Sequence, residues 1–349
     1  MSGQRRYTPI TDPSAWRGAD YQHSEDWLYR FTDGNIRDIQ AALTRVRAAK
    51  ISDSELVVQD FELPSMTKTL ADIAREIEFD RGFKLLRGLP IERWSTDDIN
   101  TIYLGLSLHL GETTSQNAKG SRLVSVADAG IAKTEINWRA YFGNSQLHFH
   151  SDFTDVVGLL CIRPSKEGGV SRIVSAMTIF NTLLEESPEY VDVFYNGFYF
   201  DRKGEEPPGV PAVSEAPIPM LSWFDERLSF RFCPAFAEAA ARRRDVPLTA
   251  LQVAAIAKVD EIGNRPELHL DMNFQTGDIQ YLNNYTVHHS RTEFKDFDEP
   301  ERKRLLKRIW LCTALGRELA PGFGELYGPG TARLGVPAVQ DQTPEKSTR

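Results

Sequence analysis

The chain has 349 residues, of which 41% are hydrophobic and 26% are charged, and its formal net charge is −8. These are ordinary values for a globular protein, and the acidic balance excludes the general electrostatic attraction on which nucleic-acid binding depends. No apolar run approaches the roughly 18 residues that a membrane span needs, and the N-terminus lacks the apolar core of a signal peptide. The three cysteines are scattered, which argues against a disulfide framework and favours a reducing, cytoplasmic location.

The first third of the chain predicts helices that cover a sheet. Helix-period patterns and capping residues predict helices over 34–49, from a Ser65 cap to about residue 78, and from Ser95 to about residue 111. Alternating apolar residues predict one strand over 81–89. This alternation of helix and strand indicates a helical layer packed on a sheet.

Strands dominate the later part of the sequence. They are expected at 144–155, 158–162, 170–174, 228–232, 268–273, 278–283 and 305–313, with helices at 176–185, from Pro188, and from a Thr249 cap to about 263. This order is typical of an antiparallel sandwich or barrel decorated by helices rather than of βαβ units. Residues 201–219 are rich in proline and predict a long loop that is a candidate lid, as is the segment 112–140.

Two distant stretches carry candidate metal ligands. One reads His148-Phe149-His150-Ser151-Asp152, and the other ends in His288-His289-Ser290-Arg291. Side chains at i and i+2 of a strand share a face, so His150 and Asp152 can reach one point. Two imidazoles and one carboxylate form the facial triad of non-haem Fe(II) oxygenases. A solvated polar face would explain the same alternation, and the periodicity alone permits either interpretation.

His288 and His289 compete for the third ligand position. Adjacent residues of a strand face opposite ways, so only one of the two can point inward. The His-x-Arg pattern that ends at Arg291 favours His289. His148 is equally compatible with a pocket residue and with a hydrogen-bonded histidine that has no function.

Arg308 lies within an otherwise apolar predicted strand. Arginine is rarely buried unless it is paired, so this side chain calls for an anionic partner. A dicarboxylate co-substrate, gripped by the two-pronged guanidinium, is such a partner. Arg291 is expected to face either the substrate or the solvent, whereas Arg304 is expected to be solvated.

Several motifs together carry a family resemblance. They are His150-x-Asp152, Gly168-Gly169-Val170-Ser171, Gly277-Asp278-Ile279-Gln280, Asn283-Asn284, His289-Ser290-Arg291 and Leu306-Lys307-Arg308-Ile309-Trp310-Leu311. In this order and spacing, the chain over about residues 81–314 resembles the TauD/TfdA-like (taurine dioxygenase) branch of Fe(II)/2-oxoglutarate-dependent dioxygenases.

The resemblance implies a mixed, mainly β fold: a double-stranded β-helix (jelly roll, cupin-like) core with flanking α-helices. The expected division of the single domain 1–349 is an N-terminal helical region over 1–80, the core with its helical insertion over 81–314, and a C-terminal extension over 315–349.

The resemblance also implies roles for individual residues. His150, Asp152 and His289 are expected to bind Fe(II), and Arg308 to hold the far carboxylate of 2-oxoglutarate with help from Ser171. Further substrate-pocket candidates are Gln146, His148 and Arg291. Taurine-type members carry a substrate-binding arginine four residues past the co-substrate arginine. Cys312 stands at that position here, so taurine is not the expected substrate.

The implied reaction consumes O₂ and 2-oxoglutarate, releases succinate and CO₂, and hydroxylates an unactivated C–H bond of a small molecule such as an amino acid or small carboxylic acid derivative. Desaturation or ring-forming oxidation of a similar substrate stays open. So do a non-catalytic sensor of the same fold and a hydrolase with the same three ligands. No nucleic-acid or membrane partner is expected, and a homo-oligomer is left open together with the identity of the substrate.

Overall fold

The computed structural model describes residues 5–128 and 143–339. The helices in these ranges are α1 Asp33–Ala49, α2 Thr67–Phe79, α3 Thr96–Leu108, α4 Ala176–Glu186, α5 Glu189–Asn196, α6 Pro234–Arg244 and α7 Ala250–Gly263. The strands are β1 Leu28–Arg30, β2 Phe83–Arg87, β3 Glu112–Thr113, β4 Leu123–Val126, β5 Leu147–His150, β6 Val156–Arg163, β7 Glu167–Gly168, β8 Ser171–Ser175, β9 Leu221–Phe224, β10 Arg227–Phe230, β11 His269–Met272, β12 Ile279–Asn283, β13 Val287–Arg291, β14 Phe294–Lys295 and β15 Leu305–Cys312.

Two sheets contain most of the strands. The larger sheet has the order β1-β2-β12-β6-β15-β3, and β4 also pairs with β15. All its pairings are antiparallel except that of β1 with β2. The smaller sheet has the order β11-β8-β13-β5 and is antiparallel throughout. The fold is therefore mixed α/β with largely antiparallel sheets rather than βαβ units, as the sequence predicts.

The larger sheet has a helical core on one side and a cavity on the other. Alternate residues of a strand face opposite sides. Leu160 of β6 and Ile309 of β15 accordingly pack in one core with residues of α1, α2 and α3. Arg308 and Trp310 of β15 face the cavity instead. In a second core, Val174 of the smaller sheet packs with residues of α4, α5 and α7.

Most of the predicted helix starts are confirmed. The capping side chains that accept the N–H of the residue three positions later are Ser95, Ser175 and Thr249. The predicted Ser65 cap is wrong, because α2 follows Met66, which makes no side-chain capping bond. The Ser65 hydroxyl instead accepts a hydrogen bond from Asn35 Nδ2 of α1 at 3.0 Å, so it ties α1 to the segment that precedes α2.

The long loop predicted over 201–219 is present and is anchored at its base. Two isolated antiparallel bridges, Phe198–Ile218 and Asp201–Val213, hold its two arms together. Arg202 is buried and donates to the carbonyl oxygens of Val213 and Leu326 at 2.9 and 2.8 Å. A lid function for this loop stays a prediction. The other expected lid, 112–140, lies partly outside the described residues.

Within the described ranges, no helix is both long and apolar enough to cross a membrane.

Candidate active site

A cavity of about 720 Å³ lies between the two sheets. Its wall takes residues from β5, β8 and β13 of the smaller sheet, from β6 and β15 of the larger sheet, and from α6 and α7. Its volume is within the range of small-molecule sites, roughly 300–1,000 Å³. Every site residue predicted from the sequence lines this cavity: Gln146, His148, His150, Asp152, Ser171, His289, Arg291 and Arg308.

The two predicted histidine ligands face each other across a strand pair. The register of β13 on β5 places His289 opposite His150, and their ring centroids are 4.2 Å apart. Asp152 follows the end of β5, where its backbone N–H donates to Asn284 Oδ1 at 2.9 Å. Its Oδ2 atom lies 4.0 Å from His289 Nε2. The three side chains are therefore neighbours, and together with Arg308 they form what we call the metal end of the cavity.

The donor set at the metal end fits Fe(II). Asp152 Oδ2 is buried and has no hydrogen-bond partner among the described residues, a costly arrangement unless a cation compensates it. His150 Nδ1 lies 3.0 Å from the His148 carbonyl oxygen, so Nε2 is the ring nitrogen that would be available to a cation. No three His, Cys, Asp or Glu side chains of the described residues form a complete ligand cluster, and Asp152 is held by Arg308 instead. Two imidazoles and a carboxylate suit non-haem iron.

His288 points away from the cavity. Its Nε2 atom lies 3.0 Å from the carbonyl oxygen of Phe230, and its ring packs against Phe230 and Phe232. Burial lowers the pKa of His288 to about 3, so the ring is neutral. The geometry thus places His289, and not His288, beside Asp152. Ligation itself stays a proposal.

The charges at the metal end are those that metal ligands need. Burial lowers the pKa of His150 and of His289, so both imidazoles are neutral. Burial alone would raise the pKa of Asp152, but its surroundings, above all the Arg308 guanidinium, outweigh it, and the pKa lies below its ordinary value. An ionised carboxylate and two neutral imidazoles can bind a cation without first losing a proton.

Arg308 is tied to the metal end by its contacts with Asp152 and Gln116. It is 7% exposed, and its Nη1 donates to Asp152 Oδ1 at 3.2 Å. Its Nε donates to Gln116 Oε1 at 2.8 Å, and Gln116 Nε2 donates back to the Arg308 carbonyl oxygen at 2.9 Å. The predicted inward orientation of Arg308 is therefore present, with a metal-ligand candidate as its anionic partner.

Arg304 lies in the cavity wall, contrary to the expectation that it is solvated. It is 5% exposed, and its Nη1 is buried without a hydrogen-bond partner in the described part of the chain. It lies directly before β15, four residues before Arg308, and both side chains line the cavity. Burial lowers the pKa of Arg304 to about 10.

Arg291 and Ser171 lie in the same part of the wall. Arg291 is buried, and both its guanidinium and that of Arg304 stack on Phe294, at 4.6 and 5.1 Å from the ring centroid. Burial, followed by the charge of Arg304, lowers the pKa of Arg291 to about 10. Ser171 is the register partner of Arg291 across β8 and β13, and its hydroxyl donates to Gln280 Oε1 at 3.1 Å. We call Arg291, Arg304 and Ser171 the arginine end.

Gln146 and His148 belong to the exposed rim of the cavity. The His148 side chain is 67% exposed, and its Nδ1 lies 3.0 Å from Asp260 Oδ2 of α7. Gln146 is also exposed. Neither side chain lies at the metal end, so any substrate contact that they make is at the mouth of the cavity.

Sequence reasoning missed two residues of this site. Arg304 carried little signal, because it lies just before the strand that carries Arg308 and its burial depends on the segments that cover it. Gln116 carried none, because its bonds to Arg308 join residues 192 positions apart. Local pattern cannot reveal such a pair.

Comparison with protein families decides the class of protein. The family model described as "Taurine catabolism dioxygenase TauD, TfdA family" matches residues 44–310. The chain belongs to this family. Its dioxygenases use Fe(II), 2-oxoglutarate and O₂, so the family resemblance, the enzyme class and the cofactors predicted from the sequence are confirmed.

Similar proteins extend over nearly the whole chain. FR-33289 synthase of Streptomyces rubellomurinus is 31% identical over 339 residues, which are 96% of this chain and 98% of the relative. Taurine hydroxylase-like protein SAT17 of Stachybotrys chartarum is 27% identical over 327 residues, covering 90% of this chain and 83% of that protein.

Among solved structures, asparagine oxygenase in complex with Fe(II), (2S,3S)-3-hydroxyasparagine and succinate has a TM-score of 0.64 at 16% identity, covering 82% of this chain and 94% of its own. The non-heme iron oxygenase OrfP with Fe, succinate and (3S)-hydroxy-L-Arg has a TM-score of 0.56 at 18% identity, covering 84% and 99%. At these identities the likeness shows the fold alone.

Proposed function

We propose that the cavity is the active site of an Fe(II)- and 2-oxoglutarate-dependent hydroxylase whose prime substrate is a small amino acid or small acid derivative. The observation that carries this proposal is that one cavity contains an ionised carboxylate flanked by two neutral imidazoles. The same cavity also contains a separate buried arginine. Bound iron with 2-oxoglutarate and O₂ supplies the oxidation of a C–H bond, with succinate and CO₂ as the other products. The hydroxylated products bound by asparagine oxygenase and OrfP support this type of reaction and substrate.

His150, Asp152 and His289 hold the metal in this proposal. Asn284 fixes the backbone of Asp152, and the His148 carbonyl orients the His150 ring. Arg308 keeps Asp152 ionised, because its positive charge lowers the pKa of that carboxyl group. The apolar side chains of Leu159 and Leu306 line the cavity and limit the access of water.

The far carboxylate of 2-oxoglutarate belongs at the arginine end. Arg308 is already engaged with Asp152, a candidate metal ligand, so an arginine that does not contact a candidate ligand would be better placed to hold the far carboxylate. Arg304 is a buried arginine that also lines the cavity, and its Nη1 has no hydrogen-bond partner among the described residues. We therefore assign the far carboxylate of 2-oxoglutarate to Arg304 and Ser171. Arg308 is placed beside the keto-acid end of the co-substrate, which revises the role that the family resemblance implied for Arg308.

This revision changes which substrates are compatible with the chain. With Arg304 as the co-substrate arginine, Arg308 stands four residues past it, where taurine-type members carry their substrate-binding arginine. Cys312 then no longer argues against a sulfonate substrate. The substrate class consequently includes small sulfonic and other acids as well as amino acids.

The finer form of the fold belongs to the same proposal. The larger and smaller antiparallel sheets, with the cavity between them, support a double-stranded β-helix (jelly roll, cupin-like) core. The helices α1 to α3 flank this core, and α4 to α7 belong to its insertion. We also retain the single domain, with its C-terminal extension from residue 315, as part of the proposal.

The experiment is a binding and turnover test on the full chain. Anaerobic calorimetry of the Mn(II)-loaded protein should show 2-oxoglutarate binding at one site, and the Fe(II)-loaded protein in air should release succinate. Succinate, 2-oxoglutarate's chain-shortened product, is released slowly even without the prime substrate. Absence of 2-oxoglutarate binding to the metal-loaded protein would remove the proposed function altogether.

A further inference from the structure

The Trp310 side chain brings an unused hydrogen-bond donor into the cavity. Trp310 follows Arg308 by two residues on β15, so the two side chains share a face, and both line the cavity. The indole is only 3% exposed, and its Nε1 has no hydrogen-bond partner among the described residues. A buried indole N–H usually finds an acceptor. The N–H of Trp310 is therefore a donor that the described part of the protein leaves without one.

Other tryptophans of the described ranges follow the usual rule. The Trp16 N–H donates to the Arg81 carbonyl oxygen at 2.7 Å, and the Trp94 N–H donates to Gln40 Oε1 at 2.8 Å. These two indoles tie distant segments of the fold together. Trp310 carries the same donor but makes no such bond within the described residues, so holding the fold together does not account for its N–H.

The ring of Trp310 is held in one orientation. The guanidinium carbon of Arg308 lies 4.9 Å from the ring centroid. The backbone of Gly335 also approaches the ring so closely that a Cβ there would lie 3.2 Å from Trp310 Cε3. Gly335 is itself fixed, because it bridges to Ser115 and its φ of +69° favours glycine. A donor on a fixed ring loses little side-chain freedom when it forms a hydrogen bond.

The Asp152 carboxylate is a neighbour of this N–H. Burial raises the pKa of Asp152, the charge of Arg308 lowers it most, and the Trp310 N–H lowers it further. The chain that continues from Asp152 runs beside β15, where the Thr154 hydroxyl donates to a carbonyl oxygen at 2.8 Å and Val157 is the register partner of Trp310. No hydrogen bond joins the indole to the carboxylate in the described structure. The donor and the carboxylate are therefore close but not yet bonded.

The two oxygens of Asp152 have different surroundings. Oδ1 accepts a hydrogen bond from Arg308 of β15, whereas Oδ2 lies 4.0 Å from His289 Nε2 and has no hydrogen-bond partner among the described residues. Oδ2 is thus the oxygen available to a metal, and Oδ1 is the oxygen on the β15 side. Carboxylate ligands of metals are themselves hydrogen-bonded by neighbouring groups that orient them, and loss of such a partner weakens metal binding by about 10–100-fold.

We infer that Trp310 is a positioning residue for the metal: its indole N–H donates, beside Arg308, to the Asp152 oxygen that the metal does not take. This inference rests on the proposed function, because it needs Asp152 to be a metal ligand. Two donors on one oxygen keep the carboxylate from turning to bind the metal through both oxygens. The remaining positions on the metal then stay open for 2-oxoglutarate and O₂.

The first test measures Mn(II) binding to the full chain by anaerobic calorimetry, without 2-oxoglutarate. Trp310→Phe keeps an aromatic ring and removes the N–H, so it should weaken Mn(II) binding by ~10-fold or more. Trp16→Phe is the matched control, because it also removes a buried indole N–H, and it should bind Mn(II) within about twofold of wild type. A loss of less than ~10-fold for Trp310→Phe overturns the inference.

A second measurement follows the N–H itself, which a purely structural role would leave unchanged. In nuclear magnetic resonance spectra of protein with isotope-labelled tryptophan, the indole signal missing from Trp310→Phe is that of Trp310. Zn(II) is a diamagnetic ion that takes imidazole and carboxylate ligands. Its addition to the wild type should move the indole proton of Trp310 downfield, as the N–H bonds to the carboxylate. A proton signal that stays in place or moves upfield overturns the inference.

The inference and the proposed function fail in different ways. If the wild type binds Mn(II) and then 2-oxoglutarate, and Trp310→Phe binds both equally well, the inference is overturned while the proposed function stands. A wild type that binds Mn(II) but not 2-oxoglutarate overturns the proposed function, whatever the result for Trp310. Should Trp310→Phe fail to fold, Trp310→Leu replaces it in both measurements.

Discussion

Asp152 and Asp155 are both buried and only three residues apart, but their surroundings are opposite. Asp155 accepts hydrogen bonds from the Tyr285 hydroxyl at 2.6 Å, from the Thr313 N–H at 2.9 Å and from the Arg333 guanidinium at 2.6–2.9 Å, so both its oxygens are satisfied. Asp152 has one oxygen on Arg308 and one without a partner among the described residues. The protein thus supplies hydrogen-bond donors to both oxygens of Asp155, whereas among the described residues it supplies a donor to only one oxygen of Asp152.

The difference separates a structural carboxylate from a functional one. Buried polar groups in proteins are nearly always hydrogen-bonded, so an incomplete one marks a place where a ligand completes the set. The same contrast distinguishes Arg333, which is bound to Asp155 and to the Thr313 carbonyl oxygen, from Arg304, whose buried Nη1 has no partner in the described ranges. Through Arg333, the C-terminal segment thus holds Asp155 and the end of the strand that carries Arg308.

The largest expected effect is on turnover. Asp152→Asn should reduce 2-oxoglutarate-dependent succinate release by ~1,000-fold, because losing the Lewis-acid centre removes several kcal/mol of stabilisation and each 1.36 kcal/mol is tenfold. The asparagine keeps an oxygen for Arg308, so the melting temperature should change little. Turnover within tenfold of wild type would show that Asp152 is not a metal ligand. The functional difference between Asp152 and Asp155 would then be wrong.

The next effect is on stability. Asp155→Ala should lower the free energy of unfolding by about 3 kcal/mol, because it leaves the Arg333 guanidinium, the Tyr285 hydroxyl and the Thr313 N–H without their acceptor. Urea denaturation measures this change. Asp298→Ala at the exposed surface is the matched control and should stay within about 0.5 kcal/mol of wild type. An equally small loss for Asp155→Ala would contradict its structural role.

The two arginines of β15 should separate in their effects on binding. Arg304→Met should weaken 2-oxoglutarate binding to the Mn(II)-loaded protein by ~10–100-fold, the size of a lost charge-assisted contact. Arg308→Met should mainly weaken metal binding, because the pKa of Asp152 rises once the adjacent positive charge is gone. Metal affinity should then be lost at a higher pH than in wild type as the solution is acidified. If Arg308→Met weakens 2-oxoglutarate binding and Arg304→Met mainly weakens metal binding, then Arg308 and not Arg304 holds the far carboxylate of 2-oxoglutarate.

The smallest effect is expected at the rim. His148→Asn should change succinate release by less than about twofold and stability by less than about 1 kcal/mol, because its contact with Asp260 is largely exposed. Steady-state turnover and a melting curve measure both quantities. A large loss of turnover would mean that the rim takes part in catalysis.

Much of the candidate site was predictable because strand alternation is a local property. Strand alternation restricted the inward position to one of His288 and His289, and the His-x-Arg pattern favoured His289. The i, i+2 spacing of His150 and Asp152 brought them to one cavity, although Asp152 lies just beyond the end of β5. The helix starts at Ser95, Ser175 and Thr249 follow from capping chemistry in the same way.

What could not be predicted depends on contacts between distant segments. Helix α6 was missed, although Pro234 stands in its first turn, because its alanine- and arginine-rich sequence has little apolar periodicity. Strand alternation did not distinguish the environment of Arg304 from that of Arg308, since burial depends on what covers each position. Nothing in the polar, proline-rich stretch around Lys203 indicates that its side chain reaches the cavity.

The most direct test of the central claim is an anaerobic titration of the Fe(II)-loaded protein with 2-oxoglutarate, followed by visible absorption. Chelation of iron by the keto-acid group produces a charge-transfer band. The account predicts that the wild type develops this band and saturates at one equivalent, that Arg304→Met needs ~10–100-fold more 2-oxoglutarate, and that Asp152→Asn gives little or none. A wild-type protein that shows no band at any 2-oxoglutarate concentration would contradict it.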